Sequence, residues 1–503
     1  MAEPLNFLLI TTDQQRMDSL GAYGRRTARR DGAPLTPAFD ALARSGTLFH
    51  RAYTPTAICT PARASLITGL RPHRHNLLAN YERNVGFQEE LTEGPGIVPF
   101  SRPLRAAGYD VVSIGKWHVG KERGPDAFGF EGTHYPGWGE PVRHEDYLRY
   151  LRERGLGPFE VEDPIRGTFP NGLPSNITAG IYQGPPEGTF SAFLAERAIA
   201  RLRAAAQRRR RDGRPFFLAL QFFGPHLPYY LPREYAELVD PDAVELPGSL
   251  AETFEGKPQV QRNYAEHWTG FQFDEASWRR ILARYLGYVA LIDDQMARVL
   301  AALEADGLAA STAVAFTSDH GGFVGGHRLQ DKGPAMYDDI YRIPMAWRLP
   351  GGPAGQHRDE LVSLIDIAPT LTALAGSVTP AAYEGRDLTP LLRGERVPAW
   401  RDVVTAEFHG HHFPYPQRMI FDGRYKLVVN PPDRDELYDL REDPLELTNR
   451  IDDTRLRTPR DGLYRRLYRE LKARGDKFYH WMTSMSPVGE SDVDASLSQH
   501  SAR

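Results

Sequence analysis

Cys59-Thr60-Pro61-Ala62-Arg63-Ala64-Ser65-Leu66-Ile67-Thr68-Gly69 holds the only cysteine in a chain of 503 residues. Thr60 is a helix-capping residue type, Pro61 suits a first helical position with φ already set, and Gly69 supplies a left-handed stop. The spacing therefore predicts a short helix with Cys59 just outside its N-terminus. The thiol then lies in the positive field of the helix end, with Arg63 four residues on, and such a field lowers a thiol pKa. Two readings follow from these residues alone. A lone free cysteine is most often a small buried residue. A phosphatase-type thiolate loop fails on spacing, because it needs its arginine six residues after the cysteine, where this chain has Ser65.

The formal net charge of −4 leaves no electrostatic footprint for nucleic acid. The one basic block, Arg208 to Arg211, ends a predicted helix (Phe190 to Arg211), where cations complement the dipole as a solvated end. A single cysteine cannot form an internal disulfide, so nothing demands an oxidising compartment. Met1 to Pro4 offers no basic leader, and no apolar run approaches spanning length. The expectation is a cytoplasmic protein without membrane or nucleic-acid partners. Asn176-Ile177-Thr178 is a glycosylation sequon by pattern only.

Leu5 to Thr12 is apolar and β-branched, the pattern of a buried central strand, and it ends in Thr12-Asp13-Gln14-Gln15. Open α/β sheets place ligands at such strand ends, although Asp13 also suits the cap of a following segment. Pro37 to Gly46 reads as a helix. Residues 109 to 114 read as a strand that Gly115 breaks, so Lys116 and His118 project together at its end. Pro215 to Phe223 is another buried strand, beyond which Pro225 and Pro228 bracket His226 and hold its backbone extended. Ala313 to Thr317 ends in Ser318-Asp319-His320-Gly321-Gly322, whose Asp and His look like metal ligands beside glycines that allow close backbone approach. Helical spacing over Arg284 to Leu303 puts Asp293 and Asp294 on a solvated face. His409, His411 and His412, on a glycine-containing loop, suit a pocket wall better than a second metal site.

Gly124 to Phe190 has little periodicity, and a loop that long in a compact domain is usually functional or a lid. Together with residues 405–418 it is expected to shape a substrate pocket. From about residue 396 short strands (Val403 to Phe408, Met419 to Phe421, Lys426 to Val429) and a helix (Leu463 to Lys472) mark a smaller unit. The expected fold class is α/β: a large mixed, mostly parallel sheet sandwiched by helices, plus a small C-terminal α+β subdomain with an antiparallel sheet. The expected organisation is a catalytic domain over 1–395, the subdomain over 396–485 and a polar tail over 486–503. That tail is a candidate for exchange between subunits of a homo-oligomer.

A third reading of Cys59 comes from resemblance. Cys59-Thr60-Pro61-Ala62-Arg63 is similar to the Cys-x-Pro-x-Arg signature of the type I sulfatases, of the alkaline phosphatase superfamily, although Ala62 replaces their usual serine. Gly115-Lys116-Trp117-His118-Val119-Gly120 resembles the second signature of that family. The strand-end Asp13, the Pro-His-x-Pro histidine His226, Asp319-His320 and Lys332 stand in the family's order, over residues 5 to about 450.

The resemblance implies an alkaline phosphatase-like fold and a sulfuric ester hydrolase cleaving a small-molecule sulfate ester. It implies that a formylglycine-generating enzyme oxidises Cys59 to formylglycine, whose hydrate is the nucleophile. One divalent metal would be held by Asp13, Asp319, His320 and the modified Cys59, with the amide oxygen of Gln14; oxygen ligands favour Ca2+, and the histidine keeps Mn2+ or Mg2+ open. Arg63 would orient the nucleophile, Lys116 and Lys332 would bind sulfate oxygens, and His226 with Lys332 would protonate the leaving alcohol. His118 would take a proton in the second half-reaction, and Asn80 would lie near the leaving group. Many members carry two acids where this chain has Asp13-Gln14. Phosphonate monoester and phosphodiester hydrolases of the same scaffold share this Asp-Gln pair and are the alternative. A different class, an unmodified binding protein, is disfavoured by the intact set of Lys116, His118, His226 and Lys332.

Overall fold

The computed structural model describes residues 3–488, apart from 84, 86, 170 and 432. Most of the expected tail, from 489 on, lies outside the described residues.

The run Asn6–Thr12 forms strand β1 with all seven side chains buried. The other strands of the large sheet are β2 (Thr47–Tyr53), β3 (Asp110–Gly115), β4 (Phe216–Gln221), β5 (Thr312–Ser318), β6 (Arg342–Arg348) and β7 (Gln356–Arg358). Their order is β7-β2-β6-β5-β1-β4-β3, and the two-residue strand Val362–Ser363 pairs with β2. β1 runs parallel to β4 and β5, and β3 parallel to β4. Only β6 runs against its neighbours β2 and β5. This is the mixed, mostly parallel sheet expected from sequence.

Alternate residues of the central strands feed two cores. Leu8, Ile10, Leu218, Leu220, Val314 and Phe316 face one side, and Phe7, Leu9, Phe217, Ala219, Ala313 and Ala315 the other. Helices α1 (Pro37–Arg44), α3 (Phe190–Asp212) and α4 (Glu275–Ala305) cover the first side, while α2 (Cys59–Thr68) packs on the second. Each fully buried Leu, Ile or Phe contributes about 1.5–3 kcal/mol, so this two-sided covering is what holds the sheet.

The C-terminal region is antiparallel, with strands β8 (Val404–Gly410), β9 (Pro414–Phe421), β10 (Tyr425–Val429) and β11 (Glu436–Asp439) in that order. Ile420, Leu427, Val429 and Leu437 pack with Leu463, Leu467 and Leu471 of helix α5 (Arg457–Arg474). Met419, Val428 and Tyr438 turn the other way, into the main core. Among the described residues no helix is long and apolar enough to cross a membrane.

Three local expectations are corrected. Residues 124–190 are not an irregular loop: they contain a helix, Glu145–Glu153, and the strands Val161–Ile165 and Ala179–Tyr182, which form a small sheet with Tyr229–Pro232. His226, expected in extended backbone between Pro225 and Pro228, lies instead in a bend, and the peptide bonds before both prolines are cis. Asp293 is buried, not solvated, and its carboxylate accepts from the backbone N–H groups of Ala38 and Phe39 at 2.9 and 2.8 Å, capping α1 from α4. Asp294 pairs with Arg29 at 2.6 Å. Helical spacing reported the face of α4 that packs on the sheet, but not the second face on which α1 rests. Replacing Asp293 with Ala orphans two helix N-terminal donors and is expected to cost about 2 kcal/mol, read as a lower midpoint in urea unfolding; an unchanged midpoint would remove the capping role.

Candidate active site

Asp13 follows β1, Lys116 follows β3, His226 lies five residues beyond β4, and Asp319-His320 follows β5. All four strands are mutually parallel, so these residues gather at one sheet edge. The ladder continues one step past the strands: Asp13 N–H donates to Gly224 O at 3.0 Å and Asp319 N–H to Thr12 O at 3.2 Å. Gly115 makes the closest approach, because a Cβ there would lie 1.9 Å from Gln221 O at φ +100°. That is why Lys116 can begin immediately, with its own N–H on Gln221 O at 2.8 Å.

Helix α2 brings the remaining members to this edge. Cys59 is its first residue, and Ile58, not Thr60, is the N-cap. The orphan Thr60 N–H is met instead by Asn80 Oδ1 at 3.0 Å, so the side chain expected beside a leaving group caps the helix that carries Cys59. Gly69 ends the helix in the left-handed conformation, as its position implied. Cys59 is fully buried, with Sγ 3.2 Å from His320 Nε2 and 3.8 Å from Asp13 Oδ1. Arg63, one turn on, donates from Nε to Asp319 at 2.9 Å and from Nη2 to Asp13 at 3.0 Å. Its Nη1 meets Lys116 O and Gln221 Oε1 at 2.9 and 3.1 Å.

The electrostatics of this cluster are uneven. Burial opposes ionisation of Asp13, but Lys116 at 2.9 Å, with His226, Arg63 and His320, holds it well below the usual carboxylate range. Burial and the charge of Asp13 push Asp319 up. His320 donates Nδ1–H to Gly321 O at 2.7 Å, and burial lowers its pKa, so the ring is neutral with an Nε2 lone pair aimed at Cys59. Ligand atoms of Asp13, Cys59, Asp319 and His320 all lie within 4.8 Å of one another. Gln14, at φ 62°, donates one amide N–H to Asp331 Oδ1 at 3.0 Å while its buried Oε1 has no partner. Gly322 permits this placement, since a Cβ there would sit 2.8 Å from Gln14 Cγ. Two carboxylates, a neutral imidazole and an orphaned amide oxygen are a donor set that fits a hard divalent cation.

A second arm faces the first. Lys332 Nζ lies 2.8 Å from His226 Nε2 and 3.0 Å from Asp331 Oδ1. Burial opposes the charge on Lys332, but Asp331, Cys59 and Asp13 together raise its pKa, while burial and Lys332 lower that of His226. His226 donates Nδ1–H to Leu227 O at 2.5 Å, so its Nε2 accepts from Lys332. His118, at φ 53°, meets Glu82 Oε1 through Nε2 at 2.7 Å, and its buried Nδ1 has no partner. Lys116 Nζ also donates to Trp138 O at 2.6 Å.

Comparison with known proteins now bears on this geometry. A family model described as Sulfatase matches residues 5–377, and one described as N-sulphoglucosamine sulphohydrolase, C-terminal, matches 325–473. The chain belongs to the sulfatase family. It is 32% identical to the uncharacterized sulfatase YidJ of Escherichia coli over 96% of this chain and 90% of that one. It is 30% identical to the multifunctional alkaline phosphatase superfamily protein PehA of Trinickia caryophylli, covering 88% of this chain and 90% of that one. Among solved structures it is similar to a phosphonate monoester hydrolase of Agrobacterium radiobacter, with TM-score 0.75, 26% identity and coverage of 93% and 95%. A chain solved with D-glucosamine-2-N,6-O-disulfate superposes with TM-score 0.73 at 21% identity, over 94% of this chain and 98% of that one. The protein is accordingly a sulfatase on the alkaline phosphatase superfamily scaffold.

Several residues of the sulfatase site carried no sequence signal of their own. Asp331 and Gln221 flank read motifs, and Glu82 lies two residues beyond Asn80, so proximity to a motif was the only pointer. Of the three histidines after Phe408, His411 approaches Asp331 at 3.3 Å, His412 meets Tyr264 O–H at 2.7 Å, and His409 meets Glu407 at 3.0 Å. The other donor grouping among the described residues is His73, Glu407 and Asp476. There His73 donates N–H to Glu407, its Nδ1 meets the same carboxylate, and Arg418 clamps Asp476 at 2.6 and 3.0 Å, so the charges are met within the chain.

Arg63→Met would leave Asp13 and Asp319 facing each other without their shared cation. A loss of about 3–5 kcal/mol in urea unfolding is expected; a change under about 1 kcal/mol would show that Arg63 does not hold the pair.

Proposed function

We propose that the protein cleaves a sulfate monoester to an alcohol and inorganic sulfate, with a nucleophile made from Cys59 by oxidation to formylglycine. The supporting observation is the burial of Cys59 Sγ inside the cluster of Asp13, Asp319 and His320, on the helix whose Arg63 bridges both aspartates. In this reading Sγ stands where the aldehyde hydrate oxygens would be. Cys59 is fully buried, so conversion by a formylglycine-generating enzyme has to reach it before the fold closes.

Asp13, Gln14 Oε1, Asp319, His320 and the modified Cys59 would hold one divalent cation, with Ca2+ best matched by the oxygen donors. When bound, that cation would polarise the sulfuryl oxygens and hold the hydrate ionised. Arg63 fixes the direction in which residue 59 points by locking α2 to the two aspartates. Lys116 and Lys332 supply positive charge to the sulfuryl oxygens. The opposed shifts of Lys332 and His226 leave their mobile proton on Lys332 at rest, and the 2.8 Å contact lets the pair deliver it to the leaving alcohol. His118, held through Nε2 by Glu82, takes up a proton at its unpartnered Nδ1 in the second half-reaction. Asn80 acts on residue 59 by capping its helix.

A second reading, hydrolysis of phosphonate monoesters, is supported by the phosphonate monoester hydrolase fold match at 26% identity and by the Asp13-Gln14 pair. Matched aryl sulfate, phosphonate monoester and phosphodiester substrates separate the two. Protein co-expressed with a formylglycine-generating enzyme and given Ca2+ or Mn2+ is expected to prefer the sulfate. Cys59→Ala is expected to lower that activity by at least about a thousandfold with unchanged unfolding; preference for the phosphorus esters would install the second reading. His226→Ala is expected to slow alkyl sulfates roughly a hundredfold or more and activated aryl sulfates far less. Equal losses for the two would remove the acid role.

A further inference from the structure

His226 lines two adjoining cavities of about 210 and 200 Å3 that share Trp138, Leu227, Pro228 and Tyr230. The larger is walled by aromatic rings, Trp138, Phe159, Phe223, Tyr230 and Tyr288, and holds one acidic side chain, Glu140. Among the described residues no lysine or arginine lines it. Trp138 stands at its mouth, 36% exposed, with its ring centroid 5.4 Å from that of His226. Phe159 and Tyr230 meet at 6.0 Å further along the wall.

Glu140 is the unexplained member. Among the described residues its carboxyl meets one side-chain donor, Tyr288 O–H at 2.6 Å, and no cation. Burial pushes its pKa up to about 7, against a small opposing effect of that hydrogen bond. The catalytic groups leave it unused, yet it opens into the cavity beside the proton donor for the leaving group. A carboxyl placed among aromatic faces without a cation is half of a recognition site for a positively charged nitrogen, because ring quadrupoles and the carboxylate attract the same partner. The volume admits a small substituent, not a polymer.

We propose that this cavity receives the alcohol half of the ester, and that Glu140 with its aromatic walls selects an alcohol carrying an ammonium group. The inference rests on the sulfate ester reading above. A neutral alkyl group of equal shape would fill the same space but leave the carboxyl without its partner.

The test compares trimethylammonioethyl sulfate with its neutral isostere, neohexyl sulfate, and with nitrophenyl sulfate as a reference, using matured full-length enzyme. At about pH 8, where the carboxyl is ionised, kcat/KM for the cationic ester is expected to exceed that for the isostere by roughly tenfold or more. In Glu140→Gln that ratio is expected to fall to within about threefold of one. A wild-type ratio near or below one overturns the inference without any variant, and so does a ratio that Glu140→Gln leaves unchanged. Hydrolysis of nitrophenyl sulfate with no cationic preference overturns the pocket assignment alone. Folded, matured enzyme that hydrolyses none of the three sulfates overturns the sulfate ester reading and this inference with it.

Discussion

A buried arginine between two buried aspartates is the constraint on which the rest of this structure depends. Arg63 is 1% exposed and Asp13 and Asp319 are fully buried, so each charge has left water and is tolerable only with its partners in place. The partners come from three separate parts of the chain: the ends of β1 and β5, and the helix α2. The register of β1 against β5, with Thr12 opposite Ser318, sets the spacing of the carboxylates. The helix must then enter at the one angle that lets a single guanidinium reach both. Cys59 is carried to its position by the same helix, so the placement of the sulfur follows from the ion pairing.

This dependence explains which parts of the molecule were legible in sequence. Central strands buried on both faces read as continuous apolar runs, and β1, β4 and β5 were therefore visible to within one or two residues at most ends. Polar residues at their C-terminal ends stood out against those runs, which is why Asp13, Asp319 and His320 were visible beside the Cys59 stretch. The lone antiparallel strand β6 was not visible, because Arg342–Arg348 carries charged ends and a proline that mask its buried middle.

Contacts made by loops were the other blind spot. Asn80, Glu82 and Glu140 lie in segments without periodicity, and their partners (the Thr60 N–H, His118 and Tyr288) are 20, 36 and 148 residues away. Nothing local marks such a residue. Thr60 illustrates the converse: a good capping residue type in the right neighbourhood lost the role to Asn80, because the chain had already entered the helix at Cys59. Asp293 likewise reads as an exposed acid on α4 until α1 is laid across it. Local pattern reports the face an element turns to the sheet, and a second packed face is a tertiary fact.

The charges of the site argue for what the proposed chemistry requires. Three cations, Arg63, Lys116 and Lys332, face three aspartates, Asp13, Asp319 and Asp331, each pairing lying between 2.9 and 3.0 Å. As it stands, the pocket for an anionic ester carries no net positive charge. Its lysines are paired with carboxylates, so they are ordered without being free to attract. A divalent cation among Asp13, Asp319, His320 and Gln14 would engage the two carboxylates that now face Arg63 and Lys116, and leave their positive charge to the sulfuryl oxygens. It would also reverse the upward shift of Asp319, which arises from burial beside Asp13. The orphaned Oε1 of Gln14 and the neutral His320, whose Nε2 has only the Cys59 sulfur within hydrogen-bond reach among the described residues, are donors that such an ion would satisfy. In this reading binding of the cation and attraction of the ester are one electrostatic event, and the aspartates serve first to fold the site and then to arm it.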